Sequence, residues 1–103
     1  MSEEVILKTK DVSVRIMPLG PKANKPWHFH RNVIDNIFCL SGTIVIRLKN
    51  PQEELVLKPG DRIEILPYRI HQVVNPEVQD STYLLVQGVG EYDFNPFAPA
   101  SEN

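Results

Sequence analysis

Asn36-Ile37-Phe38-Cys39-Leu40 runs into Ser41-Gly42 and then into Thr43-Ile44-Val45-Ile46-Arg47-Leu48. The second run is rich in β-branched residues and alternates at Ile44, Ile46 and Leu48, the period of a half-buried strand. Ser41-Gly42 between the two runs is a turn signal, so the stretch reads as strand, turn, strand. The same pattern extends outward in both directions. Val12-Ser13-Val14-Arg15-Ile16 alternates, as does Arg62-Ile63-Glu64-Ile65-Leu66. Leu55-Val56-Leu57, His71-Gln72-Val73-Val74 and Tyr83-Leu84-Leu85-Val86-Gln87 complete the set, with turns at Asn50-Pro51 and Pro59-Gly60-Asp61. Pro18 to Trp27 carries Pro18, Pro21 and Pro26, which remove backbone donors and fix φ, so it is expected as a loop. No 11-residue window holds a helical period. About eight or nine short strands with turns roughly every 8–12 residues define an all-β chain, a sandwich or a barrel. Closure or two packed sheets is expected, since one open sheet of that size would expose its edges.

The chain has 103 residues, enough for one domain. It divides into an N-terminal strand segment 1–17, a barrel core over about 18–89 and an extended tail 90–103. The tail holds Tyr92, Phe94 and Phe97 with Pro96 and Pro99 and is expected to lie on the body or on a neighbour. Phe94 and Phe97 are its expected anchors. Basic and acidic residues number 11 and 13, for a formal charge of −2, and no run of five or six like charges occurs. That argues against a polybasic nucleic-acid or membrane-surface partner. No apolar stretch approaches a membrane span. The opening MSEEVILKTK has acids where a secretory leader carries bases, and Cys39 is the single cysteine. The expectation is a soluble cytoplasmic protein.

His28, His30 and His71 are the only histidines. On an extended segment His28 and His30 point to the same side. Asp35 begins the next strand, and His71 converges on the pair if the sheet curls. Three imidazoles and one carboxylate suit a divalent transition metal such as Fe, Mn, Ni, Co or Zn. Six-coordinate geometry leaves two positions open for water or a bidentate substrate. Taken singly, a histidine on a strand is more often a surface or satisfied polar residue. Ile37, Cys39, Ile63, Ile65 and Val73 are expected to face the same interior, with Arg62, Glu64 and Gln72 directed away. Cys39 then reads as a small buried hydrophobe. Arg47, Tyr68, Arg69 and Gln87 are candidates for holding an anionic or hydroxylated ligand, and Arg47, Tyr68 and Gln87 are taken as the substrate-binding set. Trp27 and Phe29 are expected in the core or at a dimer contact. There is no G-x-S-x-G elbow, phosphate loop, dinucleotide fingerprint or C-x2-C knuckle.

The pattern resembles that of the cupin superfamily. Its first motif, G-x5-H-x-H-x4-E-x6-G, is met by His28, His30 and Gly42, with Asp35 at the glutamate position. Its second, G-x5-P-x-G-x2-H-x3-N, is met by Gly60, His71 and Asn75. The matched segments span about Trp27 to Asn75. Lys22 stands where the first motif opens with glycine. Leu66 and Tyr68 take the places of the second motif's proline and glycine, so a different turn is expected there, with a ring near the site. The resemblance implies a jelly-roll β-barrel of two packed antiparallel sheets, a metal site inside its mouth and a homodimer. It also implies a small-molecule ligand, with no nucleic acid and no membrane. Asp35 is one methylene shorter than glutamate, so it is expected to reach the metal directly or through water, or to orient a ligand histidine. Among the reactions implied, dioxygenase-type oxidation of a small oxygenated or carboxylated metabolite is favoured. The alternatives are a sugar or keto-acid isomerase, and a binding or sensing module that need not hold a metal.

Overall fold

The computed structural model describes residues 2–98. Met1 and the tail end 99–103, including Pro99, lie outside the described residues. Ten strands follow one another: β1 (Glu4–Lys8), β2 (Val12–Leu19), β3 (His28–Phe29), β4 (Ile34–Ser41), β5 (Ile44–Leu48), β6 (Glu53–Leu57), β7 (Arg62–Ile65), β8 (His71–Val74), β9 (Ser81–Gly88) and β10 (Asn95–Pro96). They form two five-stranded sheets, ordered β1-β2-β9-β4-β7 and β10-β3-β8-β5-β6, and every named pairing is antiparallel. The all-β, two-sheet expectation is met. No helix is long and apolar enough to cross a membrane among the described residues.

Alternation fills the space between the sheets. Met17 and Leu19 of β2, Ile37 and Cys39 of β4, and Tyr83 and Leu85 of β9 face Ile44, Ile46 and Leu48 of β5 and Val73 of β8 in one buried cluster. Ile65 joins it, Ile63 packs against it, and Arg62 and Glu64 are exposed. The centre of the barrel is apolar, and buried polar residues lie toward its two ends, His30, Asp35, His71 and Gln87 at one and Thr43, Asn75 and Ser81 at the other.

Two boundaries differ from the sequence reading. β2 continues through Pro18 to Leu19, although a loop was expected from Pro18. β1 accompanies β2 only as far as Ile16, so no neighbour on that side calls for the missing Pro18 N–H. The tail is not all coil: β10 pairs Asn95 with Phe29 and Pro96 with His28, and Phe97 N–H donates to the Trp27 carbonyl (2.9 Å). Asn75, the last residue of the second motif, is fully buried. Its Nδ2 donates to carbonyls of Leu19, Gly20 and Gln79, and its Oδ1 accepts from Glu77 N–H. It therefore clamps the end of β8 to the turn before β9.

Candidate metal centre

Both sheets contribute to one cluster. β3 and β8 pair His28 directly opposite His71, and His30 follows two residues after His28 on the same side. Asp35 comes from β4 in the facing sheet. His30, Asp35 and His71 are buried, and His28 is half-buried at the mouth. One ligand-capable atom from each of the four residues lies within 4.8 Å of all the others.

Hydrogen bonds settle which atom each ring offers. His28 Nδ1 meets the Pro26 carbonyl at 2.9 Å, His71 Nδ1 the Arg69 carbonyl at 2.8 Å, and His30 Nδ1 the Asp93 carbonyl. A carbonyl only accepts, so each Nδ1 carries the proton and each Nε2 is left with its lone pair. The Nε2 atoms of His30 and His71 each sit 3.2 Å from Asp35 Oδ2. His30 Nε2 is buried and makes no aligned hydrogen bond there. Lone pairs facing a carboxylate repel unless a cation lies between them, either a proton on a ring or a metal ion. The donor set of neutral imidazole nitrogens plus one carboxylate oxygen fits a first-row divalent metal, and the Nδ1 bonds orient its ligands.

The charge states agree. Burial, reinforced by His71 and His30, outweighs the Pro26 hydrogen bond and lowers the His28 pKa to about 4. For His30 burial also pulls downward, but the Asp35 carboxylate and the Asp93 carbonyl more than offset it, and its pKa is raised. Burial would raise Asp35, yet contacts with His30, His71 and Gln87 hold it well below the usual carboxylate range. Asp35 is thus an anion throughout the working pH range.

Gln87 lies opposite Asp35 in the β4–β9 register and donates from Nε2 to Asp35 Oδ1 at 3.0 Å. Arg15 Nη2 in turn donates to Gln87 Oε1 at 2.9 Å. The cluster opens into a cavity of about 170 Å³ walled also by Met17, Tyr83, Tyr92 and Phe94. Phe94 stacks on the His28 ring with centroids 4.7 Å apart, and Tyr92 lies 5.6 Å from the His30 ring.

Gln87 is therefore beside the cluster, whereas Arg47 and Tyr68 are not. Ile44, Ile46 and Leu48 point inward on β5, so parity turns Arg47 outward, where it bonds Glu54 (3.0 Å) and Gln72 (3.5 Å). Tyr68 is 66% exposed and its ring stacks near Phe29. Its φ of 70° is a left-handed conformation of the kind glycine adopts freely, and its ring does not line the cavity. Arg69 is engaged by the Pro51 carbonyl and Glu53. Trp27 is half-buried under Lys49 Nζ, 4.4 Å from its ring centroid. The sequence reading passed over Arg15, although it shares the parity of Met17 and Leu19. It also missed Asp93, whose carboxylate accepts from the N–H groups of Arg31 and Asn32 and whose carbonyl holds His30.

The cupin domain pattern (Cupin_2) matches residues 15–87. The chain belongs to the cupin family. No curated protein matches this cupin significantly by sequence. Among solved structures it is similar to a conserved protein with a double-stranded beta-helix domain from Klebsiella pneumoniae subsp. pneumoniae MGH 78578. That match has a TM-score of 0.81 and 23% identity over 94% of this chain and 84% of that one. The polyketide cyclase RemF from Streptomyces resistomycificus matches with a TM-score of 0.77 and 19% identity over 97% and 72% of the two chains. KdgF from Halomonas sp. matches with 0.72 and 18% over 84% and 76%. At these identities the likeness is one of fold.

Proposed function

We propose that this cupin holds a divalent transition metal on His28, His30, His71 and Asp35 and acts on a small oxygenated or carboxylated metabolite, with dioxygenase-type oxidation the favoured reaction. The observation that carries the reading is the convergence of one ligand-capable atom from each of His28, His30, His71 and Asp35 within 4.8 Å, with each ring held by a carbonyl at Nδ1. When bound, the metal would serve as a Lewis acid and, if it is iron, activate oxygen. Around it Asp35 supplies the single negative charge, Gln87 fixes the Asp35 carboxylate and the apolar walls restrict water. A homodimer in the cytoplasm is part of the same reading, and the one free cysteine, buried Cys39, suits a reducing compartment.

The test is metal content by mass spectrometry on protein purified without a histidine tag. Near-stoichiometric metal is expected, lost in His28→Ala, His30→Ala and His71→Ala. Asp35→Asn is expected to weaken affinity roughly 10–100-fold, the range for groups that orient or complete a metal site. Unchanged metal in variants that keep the wild-type circular dichroism would defeat the assignment. A second reading, ligand capture without turnover, is favoured by Phe94 and Tyr92 closing over the rings. Oxygen uptake across a metabolite panel separates the two, since capture consumes none.

A further inference from the structure

Arg15 and Lys25 are the charged residues of this chamber that the metal reading leaves without a task, and of the two Arg15 is the one bonded to Gln87 beside the cluster. It borders the cavity of the histidine cluster and also a neighbouring cleft of about 400 Å³, so it stands where the two meet. A guanidinium has five N–H donors. One of them goes to Gln87, and one from Nη1 goes to Glu3 Oε1 at 3.2 Å. Nε is buried and has no acceptor among the described residues. The group is thus held in place from the Gln87 side and incompletely satisfied on the others.

The charge balance of the cavity points the same way. Among the described residues Asp35 is the only carboxylate lining it, and it is committed to His30, His71 and Gln87, while Arg15 and Lys25 supply positive charge. A divalent cation would leave the chamber with an uncompensated positive charge, which a confined, partly dry site does not tolerate without an anion. Planar carboxylates match the guanidinium fork. Glu3 already meets one arm of it, accepting from Nη1 at 3.2 Å, from a side chain 45% exposed just before β1.

We infer that Arg15 is the specificity-determining residue that binds the carboxylate of the substrate, with Glu3 as the internal acid that the substrate displaces. Resting on the metal reading, this narrows the substrate class to small carboxylates bearing a second oxygen function, a hydroxyl, oxo or further carboxyl group, able to reach the metal while the first carboxylate pairs with Arg15.

The experiment is calorimetric titration of the nickel-loaded and the metal-free protein with glycolate, lactate, pyruvate and malonate, against the neutral amides lactamide and pyruvamide. Acids are expected to bind and amides to bind far more weakly. Arg15→Gln should lower acid affinity about tenfold or more. Arg15→Lys should restore part of it, because the charge returns without the fork. Glu3→Gln should raise acid affinity severalfold, a change of opposite sign that loss of folding cannot imitate. An acid-to-amide ratio unaltered by Arg15→Gln, or no acid bound by either form of the wild type, would overturn the inference. If the wild type takes up no nickel, the metal reading falls. The metal-free titration then judges Arg15 by itself, since a preference for acids that Arg15→Gln removes sustains the guanidinium's role.

Discussion

His28 and His30 are two residues apart, yet burial acts on them with opposite results. The His28 pKa falls to about 4, so the ring stays neutral across the physiological range. His30 also pays desolvation, but Asp35 and the Asp93 carbonyl overcome it and its pKa rises. Its Nε2, the atom offered to a metal, is then the place where a proton competes. The sign follows from linkage. A raised folded-state pKa gives the metal-free protein a stability that is full below the unfolded value of 6.5 and is lost as pH rises through the folded pKa. His28, with its lowered value, acts between about 4 and 6.5 and is silent above that window. We therefore expect the melting temperature of the metal-free protein to decline as pH rises above 6.5, while metal affinity increases because the proton has left His30. Melting curves from pH 6 to 8.5, with and without added zinc, measure this. A stabilisation by zinc that is the same at every pH in that range would contradict the assignment of the proton to His30. The ligand pattern itself was legible because all three histidines fall at motif spacings. The Asp93 carbonyl was not, since a backbone acceptor leaves no trace in residue type.

At the scale of elements, alternation predicted most strands and most inward faces, because the sheets pack on one side and each inward parity is apolar. It failed where that condition fails. Val5-Ile6-Leu7 on β1 shows no alternation, and β1 is exposed along its whole length. Arg47 was assigned to the site for its chemistry, although the parity of β5 already sent it outward. Arg15 is the converse, since its parity sent it inward and its charge hid it. Turns follow a further rule. Gly42 has φ 72°, and a Cβ there would meet Ser81 Oγ and the Asp80 carbonyl. Lys22 and Tyr68, at motif glycine positions, have φ of 57° and 70° with their side chains tolerated. All three positions have a left-handed backbone, while of the three only Gly42 also lacks room. Gly42→Ala should therefore destabilise by at least about 1 kcal/mol, roughly 4–8 °C in Tm for a domain of this size. Tyr68→Gly should leave Tm unchanged or raise it, because relief of the left-handed backbone offsets the added freedom of the unfolded chain. A fall in Tm on Tyr68→Gly as large as that on Gly42→Ala would show that the Tyr68 ring, stacked near Phe29, matters more than its backbone.

For the molecule as a whole, two packed sheets bury the core but still leave edges, and the β1 edge is the one that stands out. Val5, Ile6 and Leu7 are 55%, 53% and 51% exposed, and β1 has a strand partner on one side only. An edge of three consecutive apolar residues is a template for another strand. The β1–β2 register shifts between Val5 and Leu7, and Glu4 and Lys8 sit at the two ends of the strand, a charge pattern that would suit the proposed second copy. Antiparallel pairing of β1 with itself about a twofold axis through Ile6 sets Val5 opposite Leu7 and Glu4 opposite Lys8 of the second copy. Each contact then occurs twice by symmetry, and the two β1-edged sheets would run on as one. The homodimer proposed above is expected to use this edge, and light scattering behind size exclusion should return twice the chain mass. Ile6→Lys, which brings two like charges together on the axis, should shift the mass to that of one chain. Lys8→Glu should weaken the dimer by facing Glu4 with another acid, and Glu4→Lys combined with Lys8→Glu should recover it, because the reversed pair is again complementary. A double variant no more dimeric than Lys8→Glu alone would move the interface to another surface of the barrel.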